Sequence, residues 1–285
     1  MQKIPSKLAP LAWFCLGWLI LLALVPFLMV LALSFLERGY SEFYVLKPSL
    51  SAYLKLFDSV YLKVFLESLK LAFFTTIICL LMAYPFAYFL AVSPKKWRQI
   101  LFFLVIVPFW TSSLIRTYSL IAIVKTNGLL NKALLALGFI STPVEILYTD
   151  WAVLIGLVYT MLPYMILPLY SNLEKMDHSL HEAAMDLGAD SWKVFTKITL
   201  PLSFPGILAG CILVFIPALG LFFIPDILGG SKSLVLGSLI RDQFLITRNW
   251  PFGASLSVLL IGGMLLLMFT YQWTKKRQGS EGEFL

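Results

Sequence analysis

"LHEAAMDLGADSWKVFTKITLPLSFPGI" (180–207) is a charged interval between two apolar runs in a chain that is otherwise mostly hydrocarbon. Of the 285 residues, 60% are hydrophobic and 13% charged, and the mean hydropathy is +0.88. So little polar surface cannot cover a water-soluble globule, so the chain belongs in a bilayer. The interval is then where the chain leaves the membrane. Ser179 followed by Glu182 fits a capping box. A helix can begin there, run through Ala183, Ala184 and Leu187, and close at Gly188, which tolerates the left-handed conformation. Asp190 or Ser191 can cap a second helix, on which Trp192, Phe195 and Ile198 fall three apart, until Pro201 ends or redirects it. Two short helices with a glycine bend result. Small residues for close approach, with Trp192 or Phe195 as a ring anchor, suit docking into a groove on another protein. A catalytic or metal-binding Glu182 is not expected. It has no ligand partners at suitable spacing, and His178 and His181 beside it read as part of a solvated helix start.

The expected fold is all-α and integral to the membrane, a single transmembrane domain over 1–285. A spanning helix needs about 20 apolar residues, and six stretches meet that need: 11–35, 65–92, 99–124, 148–170, 202–225 and 252–273. The first is too long for the apolar part of a signal peptide and is read as a retained anchor. "SPKKWRQ" (93–99) carries Lys95, Lys96 and Arg98 without an acid, and "KKRQ" (275–278) follows the last span. With Lys3 and Lys7, these basic runs place both termini, and the segment 171–200, in the cytoplasm. The opposite loop 36–64 also carries Arg38, Lys47, Lys55 and Lys63, but mixed with Glu37, Glu42 and Asp58. "NGLLNKALLALGF" (127–139) and "ILGGSKSLVLGSLIRDQFLITRNWP" (227–251) are expected to hold short helices on the outer surface.

Several function classes drop out. The formal charge of +7 lies in clusters beside apolar runs, where lipid headgroups account for it, so no nucleic-acid partner is expected. Cys15, Cys79 and Cys211 are spread through apolar runs and read as small hydrophobes. Gly230-Ser231-Lys232-Ser233 resembles the end of a phosphate-binding loop but lacks the adjacent Gly-Lys and the earlier glycine. No catalytic residue and no metal site are expected.

Glu182-Ala183-Ala184, three residues, Gly188, nine residues, then Ile198-x-Leu200-Pro201 resembles the EAA signature of permease subunits from bacterial ABC-type importers. With six spans, "VPFWTSSLIRTY" (107–118), "GLVYTMLPYMILPLYSNLEKMD" (156–177) and "RNWPFGA" (248–254), the likeness covers almost the whole chain. It is similar to the permeases of spermidine/putrescine importers, in particular the first of their two different permease subunits. The resemblance implies the type I importer permease fold in a bacterial inner membrane and a transport role without enzymatic activity. It further implies coupling helices that enter a cleft of an ATPase subunit dimer, with Glu182, Ala183, Ala184, Gly188, Trp192, Leu200 and Pro201 at the contact. ATP and magnesium would sit on that ATPase, and this chain would bind no cofactor. A second, different permease subunit, a periplasmic substrate-binding protein, membrane lipid and a polyamine substrate complete the implied partners.

Charge at membrane depth is costly, roughly 2.5–3.5 kcal/mol per residue at a helix centre on insertion scales. Arg116 alone lies well inside an expected span, while Glu67, Lys70 and Asp226 stand near span ends. A buried guanidinium repels a polycation, so Arg116 is read as structural, bonding backbone carbonyls or a carboxylate of the partner permease. Trp110, Ser113 and Thr117 recur at i, i+3, i+7, with Ser112, Arg116 and Ser119 as the adjacent stripe. That polar face should meet a subunit interface or an aqueous cavity. Prolines 108, 163, 168, 217 and 225 should loosen or kink the third to fifth spans. A polyamine needs carboxylates and ring faces in place of water, and Trp110, Tyr118, Tyr159, Phe222, Phe223 and Asp226 are the candidates. Related polyamine permeases often carry glutamate just after the glycine of the fifth span. Leu221 stands there, which implies that the partner permease supplies more of the negative charge.

Two other readings stay open. The EAA signature is shared by importers of other small solutes, such as an opine, a metal chelate or sulfate. An ion-coupled secondary transporter would need acids near a span centre to bind cations or relay protons, and none is found there.

Overall fold

The computed structural model describes residues 9–39, 43–177, 179–230 and 233–281. Lys3, Lys7, Glu42, His178, Ser231 and Lys232, named above, lie outside them, as do the side chains of 275–278. In chain order the elements are α1 (Ala9–Ser34), a two-stranded antiparallel ladder of β1 (Leu36–Glu37) and β2 (Val45–Pro48), α2 (Ser51–Lys55), α3 (Ser59–Val92) and α4 (Lys95–Ile106). A 3₁₀ turn (Val107–Trp110), α5 (Ser113–Val124), α6 (Leu129–Ala136), α7 (Asp150–Leu173), α8 (Ser179–Asp186) and α9 (Ser191–Val194) follow. A π-helical turn (Phe195–Thr199) leads into α10 (Leu200–Gly220), and a second (Pro225–Gly229) precedes α11 (Leu236–Leu245) and α12 (Trp250–Glu281). The chain is mostly helical, as expected, apart from the short ladder. Five of these helices are long and apolar enough to cross a membrane, or six if α4 and α5 with their extensions form one broken span.

The described residues fall into two compact units, one drawn from Met1–Leu62 and Leu239–Gly263, the other from Lys63–Ser238 and Met264–Leu285. In the first, α1 is apolar on every side and none of its span window is buried against the described residues. In the same unit, rings gather around the stretch 248–254. Phe43 stacks on Trp250 at 4.5 Å between centroids, the Arg248 guanidinium lies 5.8 Å from the Phe43 ring centre, and Tyr61 packs on Phe252 at 4.7 Å. Lys47 pairs with Glu37 across the ladder at 2.9 Å.

In the second unit α7 is the central helix, with 61% of its span window buried. Pro163 and Pro168 lie inside it without breaking it, because neighbouring helices exclude lipid from the backbone groups that proline frees. The α3 face carrying Cys79, Ala83, Ala87 and Ala91 joins Val158, Met161, Met165 and Leu169 of α7 in one buried cluster. Small residues at helical spacing let two backbones approach, the main source of helix affinity where lipid is as apolar as leucine. α10 approaches from another side through Gly206 and Gly210. A Cβ at Gly206 would lie 2.7 Å from Asn172 Cβ and 3.2 Å from the Pro168 carbonyl oxygen. At Gly210 it would meet the Met165 sulfur at 2.5 Å and the Met165 carbonyl oxygen at 3.3 Å. Tyr84 and Ser203 share a hydrogen bond of 3.0 Å that ties α3 to α10.

The third apolar stretch, 99–124, differs from a single span. It folds as α4 with the 3₁₀ turn, then α5 running on toward α6, the two arms bent by 99°. Pro108 removes an amide from the helical ladder, and Thr111 and Ser112 turn extended, with ψ of 145° and 131°. The Thr111 amide and hydroxyl both donate to the Pro108 carbonyl, at 3.2 and 2.8 Å, and close the break. Beyond α5, Asn131 is buried and fastens the loop that follows. Its amide nitrogen donates to the carbonyls of Thr126 and Val144, and its oxygen accepts the Val144 amide.

Gly206→Val should lower the thermal midpoint in detergent by an amount equivalent to about 1–3 kcal/mol of overpacking. Gly210→Ala should cost less, because the Met165 sulfur can swing aside while Asn172 Cβ is fixed to its backbone. Equal midpoints for wild type and Gly206→Val would show that α7 and α10 do not depend on this approach.

Candidate functional site

The segment quoted at the outset folds as two short helices with a glycine bend. The start differs in detail from the capping box. Ser179 is already helical, and its amide donates to the Asp177 carboxylate at 3.0 Å rather than being reached by Glu182. An aspartate two residues upstream completes a tight local turn that competes with the longer reach from Glu182. The end matches the expectation. Gly188 has φ of +84°, its amide donates to Met185 O at 2.9 Å, and the Ala189 amide donates to Ala184 O at 3.0 Å. These two bonds satisfy carbonyls of the last turn of α8. Asp190 then caps α9, its carboxylate accepting the Lys193 amide at 2.9 Å.

Pro201 does not end the second helix. The chain is helical from Ser191 to Gly220, and Pro201 sits in the first turn of α10. The wider π turn just before it takes up the change of pitch, so the missing proline amide falls where a helix start tolerates it.

Exposure sorts the rings of the segment. Trp192 is 71% exposed and Leu187 89%, with Met185 and Leu180 also outward. Phe195 points inward, packing edge-on against Tyr84 and Tyr88 at 5.9 and 6.3 Å, while Trp192 stacks on it at 5.8 Å. Glu182 and Ala183 are exposed, as are Leu200 and Pro201 in the first turn of α10. A surface with Leu180, Met185, Leu187 and Trp192 outward, beside exposed Glu182, has the composition of a docking face. The reading of His181 as solvated is corrected. Its Nε2 shares a hydrogen bond of 2.9 Å with the hydroxyl of Thr199, which is fully buried. Eighteen residues separate the two, so no local pattern could have shown it.

At the base of α7, Arg98 donates to Glu174 at 3.1 Å, and Phe102 packs on Tyr170 at 5.2 Å. These pairs hold α4 against the point where the chain leaves α7 for α8. The ion pair is partly exposed, and such pairs are worth about 0–1 kcal/mol. Its use is to fix position.

The polar stripe of the third stretch is rearranged by the break. Trp110 belongs to the 3₁₀ turn, so it does not share a helix with Ser113 and Thr117. It remains largely exposed and meets Phe103 edge-on at 5.8 Å. Thr117 is buried, and its hydroxyl donates to the Ser113 carbonyl at 2.9 Å, so it offers no free polar group. The Ser113 hydroxyl and the Arg116 Nε are buried without a partner among the described residues. The Arg116 guanidinium carbon stands 5.9 Å from the Tyr159 ring centre, which brings two of the sequence candidates together. Tyr118 is exposed. Phe222 and Phe223 meet edge-on at 6.4 Å, and Phe223 packs on the buried cluster of Val153, Leu157, Ile224 and Leu228. Asp226, in the second π turn, accepts the Ser238 hydroxyl at 2.8 Å. Among the described residues no group of three or more His, Cys, Asp or Glu side chains could hold a metal ion.

Residues 83–279 match the family of binding-protein-dependent transport system inner membrane components. The chain is 49% identical over 261 residues to the spermidine/putrescine transport system permease protein PotB of Escherichia coli K12, covering 92% of this chain and 94% of that one. It is 49% identical over 260 residues to PotB of Haemophilus influenzae, 91% of each. Its fold is similar to a chain in the crystal structure of a bacterial alginate ABC transporter bound to a periplasmic protein carrying an alginate pentasaccharide. The TM-score there is 0.77 at 16% identity, over 95% of this chain and 96% of that one.

Gly188→Ala should speed hydrogen exchange of the amides at 188 and 189, because a side chain in the left-handed region costs about 1–2 kcal/mol. Gly188→Asn should exchange more slowly than Gly188→Ala. Equal protection in all three proteins would mean that the turn does not rest on the glycine.

Proposed function

The chain belongs to the inner membrane components of binding-protein-dependent transport systems, and on that footing we propose that it imports polyamines of the spermidine and putrescine class. It is a multi-pass subunit of the inner membrane and not an enzyme. The observation that carries the substrate class is the 49% identity to spermidine/putrescine permeases across nine-tenths of the chain. The rings at Trp110, Tyr118, Tyr159, Phe222 and Phe223, with Asp226, are consistent with cation binding, each ring contact contributing about 0.5–2 kcal/mol. The Arg116 guanidinium lies over the Tyr159 ring. In our reading it holds the interface with a second, different permease subunit, which contributes most of the carboxylates.

Both termini and the segment 171–200 are assigned to the cytoplasm from the distribution of basic loops. There Glu182, Ala183, Ala184, Gly188 and Trp192, with Leu200 and Pro201 behind them, dock on an ATPase subunit dimer. That dimer binds ATP and magnesium. This chain supplies no group for phosphate chemistry and acts by alternating access. A periplasmic binding protein delivers the polyamine to the outer face.

Reconstituted with its ATPase, second permease and binding protein, the complex should hydrolyse ATP faster when spermidine or putrescine is added with the binding protein. Stimulation by sulfate or a metal chelate, with neither polyamine active, would transfer the chain to another substrate. Glu182→Ala should lower ATPase co-purification or uptake at least several-fold while the protein still inserts. Full uptake and full ATPase recovery would remove the docking role.

A further inference from the structure

We propose that His181 is a positioning residue that passes displacement of α8 into α10 through its hydrogen bond to Thr199. The inference rests on the reading that α8 docks on the ATPase. The His181 Nε2 and Thr199 hydroxyl are 2.9 Å apart, and Thr199 is the buried last residue of the π turn that opens α10.

Among the described residues, apolar contacts also hold this region. Phe195 packs edge-on against Tyr84 and Tyr88, and Met185 of α8 lines a cavity of about 220 Å³ whose walls are the ends of α3 and α7 and the π turn. The hydrophobic term that holds these contacts is non-directional, and a methionine side chain adapts to small shifts. A void beneath a helix leaves it room to move. A hydrogen bond to a buried hydroxyl is directional and weakens steeply when misaligned, so it converts a shift of α8 into a pull on one point. That point lies in a π turn, where the helix departs from its regular hydrogen-bond ladder and which commonly marks functional sites.

The test uses the complete complex, with spin labels at exposed Phe204 of α10 and Phe89 of α3, in a background without the native cysteines. The distance between the labels is measured with and without ATP and vanadate, and bound ATPase is quantified on the same samples. In the wild type, nucleotide should shift the distance. Thr199→Val and His181→Phe keep the shape but lose the hydrogen bond. They should bind ATPase fully, while the ratio of shifted to unshifted complexes falls about fivefold, the loss of one net hydrogen bond. Thr199→Ser and His181→Gln should restore the shift. A full shift in Thr199→Val and His181→Phe would overturn the inference and leave docking intact, as would no nucleotide shift in a wild type with bound ATPase. A wild type that binds no ATPase would overturn the docking reading and this inference together.

Discussion

The close approach of α7 and α10 at Gly206 and Gly210 is the constraint on which the membrane unit depends. Helices in lipid gain little from burying apolar surface, so they associate where backbones can come close and where polar groups find partners. Missing side chains at two positions one turn apart bring α10 within reach of the Pro168 and Met165 carbonyls. With α10 in place, Ser203 meets Tyr84 and α3 can lay its alanine face along α7. The result is a packed trio inside one unit, and the less regular segments are hung from it.

Those segments are the ones with work to do. The π turn at 195–199 joins α10 to the short helices α8 and α9, and its Phe195 ring is held by α3. The broken helix at 107–112 is held at its other end by Arg98 and Phe102 against the last turn of α7. Both irregular segments therefore attach near the point where the chain passes from α7 into α8 and α9. A force applied to α8 has short routes to α10, and through the base of α7 to α4. The exposed ring of Trp110 lies in the break on that second route, and that of Tyr118 lies beyond it in α5. Irregular backbone at membrane depth is tolerated where protein or a water-filled path surrounds it.

Most of the architecture was legible because apolar runs of spanning length and the Gly188 bend are local signals. The short helices α6 and α11 fell where the sequence put them, within 127–139 and 227–251. The break in the third stretch was half visible. Pro108 was noted, yet Pro163 and Pro168 carry the same letter and leave α7 whole. What separates them is burial, which the sequence does not display. The assumed continuity of that helix also put Trp110 on one stripe with Thr117, and the extended Thr111 and Ser112 undo that alignment. The His181–Thr199 and Arg98–Glu174 pairs join residues far apart in the chain, and neither periodicity nor capping rules reach that distance. The GxxxG spacing of Gly206 and Gly210 was present in the sequence as a known helix-packing pattern, and it is the signal that could have placed α10 against α7.

On the proposed function, the chain works only as one membrane-spanning part of a larger, ATP-driven assembly. The most direct measurement is the composition of the complex recovered on a tag on this chain from its own membranes in mild detergent. An ATPase and a second, different permease should be recovered, with the ATPase lost and the permease retained when Trp192 and Leu187 are replaced by charged residues. Recovery of this chain alone, together with solute transport by the purified chain in liposomes without ATP, would contradict it.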